Sequence, residues 1–312
     1  MKKRTKTSSF GASKRENHDS SIFYESAMYR EIRQAPNYSP KGEENELPSH
    51  LKNTIVQADA RDLSFIPDNC LHLVVTSPPY NAKKDYDMDL SLTEYLELIR
   101  DVFEEIYPKL VDGGRVAINI ANVGRKPYIP ISDYVSQILS DIGYLQRGEI
   151  IWDKGASAGS STAWGSWKSP SNPTLRDVHE YILVFSKGTM KRAKKDKTST
   201  ISREEFMEFT KSIWNFPTTS AKRIGHPAPF PIELPYRLIQ LYSFKEDVVF
   251  DPFMGSGTTA IAALHTKRTF LGTELEQKYV ELAMERVEAA KIKEKYSHIL
   301  SRHANSDITL AS

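Results

Sequence analysis

Chemistry is concentrated first at Ser77-Pro78-Pro79-Tyr80, which directly follows the apolar run Leu71-His72-Leu73-Val74-Val75 and Thr76. Successive prolines fix φ at about −65° and withdraw two backbone donors, leaving the carbonyls of the turn as aimed acceptors. Such acceptors suit an amino group. Ser77 adds a hydroxyl that can accept or donate, and Tyr80 adds a face on which a flat base can stack. A proline turn capped by a core tyrosine would read the same way in isolation, so a second constellation has to decide.

That constellation is Asp251-Pro252-Phe253-Met254-Gly255-Ser256-Gly257, set between the apolar Val248-Val249-Phe250 and a helical pattern from Thr258. Without a Cβ at Gly255 or Gly257 a ligand can approach the backbone, and the first amides of a helix can receive an anion. It is not a nucleotide P-loop, because Gly257 is followed by Thr258-Thr259 with no lysine. Glu274 follows at the end of the next strand pattern, about twenty residues on, where nucleotide-binding sheets place a carboxylate on ribose hydroxyls. Asp59 is a further acid at a strand's carboxyl end, after Thr54-Ile55-Val56-Gln57.

Positioning these groups requires an alternation of strands and helices. Apolar patterning predicts strands at 54–57, 71–75, 115–120, 145–152, 181–185, 248–250 and 269–274. It predicts helices at 92–110, 131–142, 232–244, from about 258, and at 277–296. The fold class is therefore α/β, a doubly wound and mostly parallel sheet covered on both faces. Residues 1–50 read as an irregular arm, in which 15–24 are dense enough in functional groups to dock on the body. Residues 154–224 read as a long Gly/Ser/Trp-rich loop followed by a basic insertion without apolar periodicity, and 301–312 as a tail.

Composition narrows the chemistry. Of 312 residues, Cys70 is the only cysteine, and the net charge is +2. One cysteine excludes a disulfide framework and a thiolate cluster. It also lies outside the Pro-Cys setting of enzymes that attack cytosine through a thiolate. Eight histidines without ligand spacing point to no metal, and the near-neutral charge means that a polyanion site must come from local clustering. No run reaches the ~18 apolar residues of a membrane span and the basic, polar N-terminus lacks the apolar region of a signal peptide, so the expectation is a cytoplasmic protein without membrane contact.

With both turns in place, residues 54–290 resemble the β group of DNA amino-methyltransferases, the circularly permuted arrangement in which the catalytic S-P-P-Y turn precedes the glycine turn. The resemblance implies a methyltransferase domain split into a catalytic half, 51–153, and a donor-binding half, 225–300. Residues 154–224 between them would hold target recognition. It implies S-adenosylmethionine as donor. Asp59 would lie near its adenine and Glu274 on its ribose, with Asp251, Pro252, Phe253, Gly255, Ser256, Gly257 and Thr258 around the methionine portion and His226 just before. Ser77 and the Pro78 carbonyl would hold the target amine and Tyr80 would stack on a base flipped out of double-stranded DNA. Serine at the head of the turn suggests cytosine N4 as target. Adenine N6, an RNA or protein amide, and a DNA-binding module that has lost catalysis are the alternatives. Lys191, Arg192, Lys194 and Lys195 suit phosphates, whereas Arg176, Lys222 and Arg223 suit base edges. A cognate restriction endonuclease, acting separately, is the implied partner.

Overall fold

A computed structural model describes residues 27, 42–79, 90–124, 126–155, 165–193, 196–219 and 230–308, with side chains described as far as residue 292. In chain order the strands are β1 (Thr54–Gln57), β2 (Leu71–Thr76), β3 (Leu110–Ile120), β4 (Tyr144–Asp153), β5 (His179–Lys187), β6 (Ile213–Asn215), β7 (Val248–Asp251) and β8 (Thr269–Glu274). The helices are α1 (Leu92–Lys109), α2 (Ile131–Ile142), α3 (Arg203–Phe209), α4 (Glu233–Tyr242), α5 (Thr258–His265) and α6 (Gln277–Ile308). The strands form one sheet in the order β1-β8-β7-β2-β3-β5-β4-β6. Neighbours pair in parallel except around β5, which runs against both β3 and β4.

β2 lies in the middle of this sheet and every one of its residues is buried. Side chains alternate faces along a strand. Val74 accordingly packs with Ile99, Val102, Phe103 and Ile106 of α1, whereas Leu73 and Val75 join Leu234, Leu238 and Ile239 of α4 and Ala260 of α5 on the other face. Burial on both faces is what permits the unbroken apolar run. α1 begins with a reciprocal cap: the Glu94 amide donates to Ser91 Oγ, and the Ser91 amide donates to Glu94 Oε2. No helix among the described residues is long and apolar enough to cross a membrane.

The structure departs from the sequence expectation in four places. α6 runs on to Ile308, into the 301–312 stretch expected to be a tail. β3 starts at Leu110, because Pro108 closes the last turn of α1 and the Asp112-Gly113-Gly114 stretch is carried inside the strand. The insertion contains α3 and β6. Both escape a periodicity search: Phe209 is the one buried residue of α3, Phe206 and Met207 are exposed, and β6 has three residues around the buried Trp214. Finally, the end of the arm is packed. Leu47 is in the core, the Asn45 amide donates to Asn69 O at 2.8 Å, and Asn69 Nδ2 donates to Glu43 O at 2.6 Å. Residues 15–24, expected to dock, lie outside the described residues.

Candidate active site

Backbone register alone brings the two turns to one place. β2 pairs with β7 in parallel, Leu73 opposite Val249 and Val74 opposite Phe250, so both strands deliver their turns to the same edge of the sheet. That edge lies outside the carboxyl ends of parallel strands, where open α/β sheets bind ligands. A side-chain bond then joins them. Thr76, the last residue of β2, donates its hydroxyl to Oδ1 of Asp251, the last residue of β7, at 2.6 Å.

Asp251 is fully buried. Thr259 Oγ1 donates to its Oδ2 at 2.6 Å and the Phe253 amide donates to Oδ1 at 3.1 Å. Its hydrogen-bond partners among the described residues are thus two hydroxyls and one amide, with no cation. Burial pushes its pKa up to about 6; the bonds from Thr259, Thr76 and Phe253 pull it down, and the Glu274 carboxylate pushes it further up.

Glu274 closes the glycine turn. Its Oε2 accepts from the Gly255 amide at 2.8 Å and its Oε1 from the Glu276 amide at 3.1 Å. Gly255 and Gly257 both have left-handed backbones, with φ of 52° and 78°. They serve different ends. A Cβ on Gly257 would lie 2.9 Å from that of Ala283, so this glycine makes room for α6 against the turn. Pro252 and Met254 are built into the same turn through their backbones: Thr273 Oγ1 donates to Pro252 O at 2.9 Å, and the Met254 amide donates to Thr273 O at 2.9 Å. Ser256 and Thr258 are buried, their hydroxyls 3.5 Å apart.

Asp59 reaches the same edge, because β1 pairs with β8 and the Ala58 amide donates to Glu274 O at 3.1 Å. Its carboxylate is already engaged. Arg61 donates to it from Nη2 at 2.6 Å and from Nε at 3.1 Å, which holds the carboxyl below its ordinary pKa.

Beside Ser77 the structure shows a chain of polar groups that the sequence reading missed. Asn119 Nδ2 on β3 lies 3.5 Å from Ser77 Oγ and donates to Glu180 Oε2 at 2.6 Å. The other oxygen of Glu180, near the start of β5, takes the Lys154 ammonium at 2.5 Å. Asn119 and Glu180 are both buried. One sequence signal was available: Asn119 interrupts the apolar run Val116-Ala117-Ile118-Asn119-Ile120 at its carboxyl end, and a buried amide needs partners.

The reversed direction of β5 decides which expected DNA contacts share this edge. The chain leaves β4 there and re-enters β5 there, so the described residues 165–178 that lead back into β5, with the exposed Arg176, return to this edge. The neck of this connection is closed by the Lys154 amide donating to Val178 O at 2.9 Å. β6 runs parallel to β4, and Trp152 Nε1 donates to Phe216 O at 2.9 Å, so the segment from 216 also departs from this edge.

Lys191 and Arg192 of the basic run do not share it. β5 ends at the opposite edge, and Lys191 and Arg192 follow from there. Lys191 is exposed, but Arg192 is buried against Asp247, with Nη2 to Oδ1 at 3.0 Å and Nη1 to Oδ2, and its Nη2 reaches Glu44 at 3.4 Å. Arg192 was expected on phosphate; its guanidinium is instead consumed by these carboxylates. Lys197 joins the cluster at 2.5 Å from Glu44, and His72 Nδ1 accepts from the Val248 amide at 2.9 Å with Nε2 3.2 Å from Glu44. Cys70 is buried nearby, and burial pushes its thiol up to about 12, which removes it as a nucleophile. Tyr80, Lys194, Lys195, Lys222, Arg223 and His226 lie outside the described residues.

Comparisons with known proteins agree on where this chain falls. A family model described as DNA methylase, covering N6 and N4 methyltransferases, matches residues 71–285. The type II methyltransferase M.MjaI of Methanocaldococcus jannaschii is 30% identical over 274 residues, covering 75% of this chain and 90% of the relative. M.MthZI of Methanothermobacter thermautotrophicus, also a type II methyltransferase, is 30% identical over 287 residues and 80% of each chain. Among solved structures, TTHA0409 of Thermus thermophilus, assigned as a DNA modification methylase and complexed with S-adenosyl-L-methionine, superposes with a TM-score of 0.63 at 31% identity, covering 76% of this chain and 93% of that one.

Proposed function

Because the chain belongs to the DNA methylase family of N6 and N4 amino-methyltransferases, we propose that it moves a methyl group from S-adenosylmethionine to the exocyclic N4 of cytosine in double-stranded DNA. It is a DNA amino-methyltransferase of the restriction–modification kind. The choice of cytosine, the residue roles and the flipped target are the proposal.

The observation that carries the reading is the Thr76–Asp251 hydrogen bond, which holds the end of the catalytic strand against the end of the donor strand. Asp251 and Glu274 bracket the glycine turn through the amides of Phe253 and Gly255. Negative charge without a partnering cation among the described residues suits a ligand that carries a sulfonium and an ammonium. A relative that binds S-adenosyl-L-methionine, over most of the chain's length, supports the same donor. When bound, it supplies the electrophilic methyl group.

The protein's own residues do the rest. The cytosine amine is a poor nucleophile because its lone pair is delocalised into the ring. Ser77 Oγ and the Pro78 carbonyl accept its N–H groups, favouring a less conjugated amine and stabilising charge as the methyl arrives. Pro79 stiffens the turn and Tyr80 stacks on the base. No strong base is needed, since an amine that has gained positive charge is itself acidic. Holding the amine in line, with reacting atoms about 3–3.5 Å apart, provides much of the rate. A base in a duplex cannot reach a turn at a sheet edge, so the target is flipped out of the stack. Recognition falls to loop 154–178 and the segment after β6, with Arg176, Lys222 and Arg223 on base edges, and the cognate endonuclease acts as a separate protein. Serine in place of the aspartate more frequent in adenine enzymes favours cytosine.

Labelled donor and mixed-sequence DNA, followed by nucleoside mass spectrometry, test the reading. N4-methylcytosine is the expected product, and N6-methyladenine would overturn the base. Ser77→Ala and Tyr80→Ala should lose turnover while keeping donor affinity; full activity in both would remove the turn from catalysis.

A further inference from the structure

We propose that Lys154, Glu180 and Asn119 couple occupancy of the recognition loop to the catalytic serine, so that the correct DNA site is distinguished in the methyl-transfer step as well as in binding. The inference rests on the reading of loop 154–178 as a DNA-contacting element. Its novelty is the physical connection between that loop and Ser77.

The connection has three links. Asn119 Nδ2 donates to Glu180 Oε2 at 2.6 Å and lies 3.5 Å from Ser77 Oγ. Glu180 is buried, and its second oxygen holds the Lys154 ammonium at 2.5 Å. Lys154 opens the recognition loop, and its amide closes the neck on Val178 O, two residues before Glu180. Both strands of the neck are therefore joined twice, once through the backbone and once through the ion pair.

Lys154 also meets the second segment. Its ammonium lies 5.7 Å from the centroid of the Trp152 ring, which stacks on Phe216 at 5.2 Å. Asp153, between Trp152 and Lys154, accepts from Asn215 Nδ2 at 2.8 Å and from the Gly155 amide at 2.8 Å. DNA that engages either segment bears on the residues flanking Lys154 and seats its ammonium on Glu180. The carboxylate so held fixes the Asn119 amide, which then closes on Ser77. The long 3.5 Å separation in the free protein is the adjustable link: it shortens into a strong bond only in a productive complex, a behaviour common for catalytic hydrogen bonds before substrate is bound. Asn119, Glu180 and Lys154 are positioning residues in this scheme, acting on the target amine through Ser77.

The test compares Lys154→Met, Lys154→Arg and Glu180→Gln with the wild type. The recognition site is first read from DNA methylated by the wild type. Single-turnover rates are then measured on that site and on duplexes with one base pair changed, together with donor and DNA affinities and melting temperatures. Rates are counted per methyl group transferred, so they do not depend on which base is modified. Lys154→Met and Glu180→Gln should slow the cognate reaction roughly tenfold to a hundredfold, the scale of one charge-assisted hydrogen bond, with donor and DNA affinities within about twofold. Changed sites should slow much less, so the cognate preference in rate falls. Lys154→Arg, which keeps the charge, should recover most of it. Equal slowing at every site would overturn the coupling, as would a loss confined to DNA affinity or an arginine variant no better than methionine. If Glu180→Gln does not fold, Lys154→Met at the half-buried neck carries the same comparison.

Discussion

Asp247 immediately precedes the four-residue strand β7 and Asp251 ends it, and the two are buried in opposite ways. At the entrance of β7, Asp247 lies against Arg192 and within 3.5 Å of Lys197 and 3.7 Å of His72. Burial alone would raise its carboxyl, but Arg192 and His72 outweigh burial and hold it below the ordinary value. At the exit, Asp251 is more deeply buried, its hydrogen-bond partners among the described residues are two hydroxyls and an amide, and burial pushes its pKa up to about 6. A buried acid that already has its cation is part of the fold. One that lacks it is a site poised for a cationic ligand.

Removing each acid should separate these roles. The largest effect is expected for Asp247→Ala, which leaves the buried Arg192 guanidinium with only the longer contact to Glu44 and should destabilise the fold by ~3–5 kcal/mol, read by urea unfolding, because breaking a buried pair leaves a poorly compensated charge. Donor affinity of the folded fraction should not change. A variant as stable as the wild type would erase the distinction. Asp251→Asn should do the reverse: above pH 6 its stability is unchanged or increased, by up to ~3 kcal/mol, while calorimetric donor affinity collapses. Equal donor affinity in this variant would remove Asp251 from the binding site.

The two ends also differ in the sign of their pH dependence. Asp251 has a folded pKa near 6 against an ordinary 3.8, so between those values the folded protein holds a proton that the unfolded chain has released. Its contribution to stability is full below about pH 4 and is lost as pH rises to about 6. Asp247 has a lowered pKa, so its contribution is present above 3.8 and is lost as pH falls through its folded value. A cation brought beside Asp251 favours its ionised form. Donor affinity should therefore rise with pH up to about 6 and then level off, and a flat profile across roughly pH 5–7 would contradict the assigned contact. The smallest effect is reserved for Lys197→Met. Its ammonium is partly exposed and duplicates Arg192, so the loss should be about 1 kcal/mol or less. A much larger loss would make Lys197, not Arg192, the main partner of Asp247.

The same contrast explains what could be read before the fold was known. Ser77 to Tyr80 and Asp251 to Gly257 are contiguous in sequence, and each follows an apolar strand whose burial is written in consecutive residues; both were legible. Asn119, Lys154 and Glu180 were not, because they lie on or beside three strands and meet only through the β3–β5 and β4–β5 pairings, which set Asn119 opposite Ile182 and Trp152 opposite Glu180. Arg192 was misread for a related reason. A basic run looks alike whether it is solvated or paired, and the acid that claims Arg192 is Asp247, 55 residues away. Gly257 was correctly placed in the turn, but Ala283, the residue that requires it, is on a helix no local pattern could bring there.

The pairing of β2 with β7 also sets when the enzyme can first exist. Thr76 and Asp251 are 175 residues apart in the chain, so the bond between them closes a very long loop. Contacts of such separation must overcome the entropy of loop closure before they are rewarded, and they form late and slowly. A growing chain that has emerged only as far as β6 carries the serine turn and the connection between β4 and β5 but neither Asp251 nor Glu274. It is silent as a methyltransferase, and the edge of β2 that faces away from β3 is left open for the strand still to come. Activity therefore appears only when β7 is inserted between β2 and β8, which makes turnover a report on completed folding of the whole sheet.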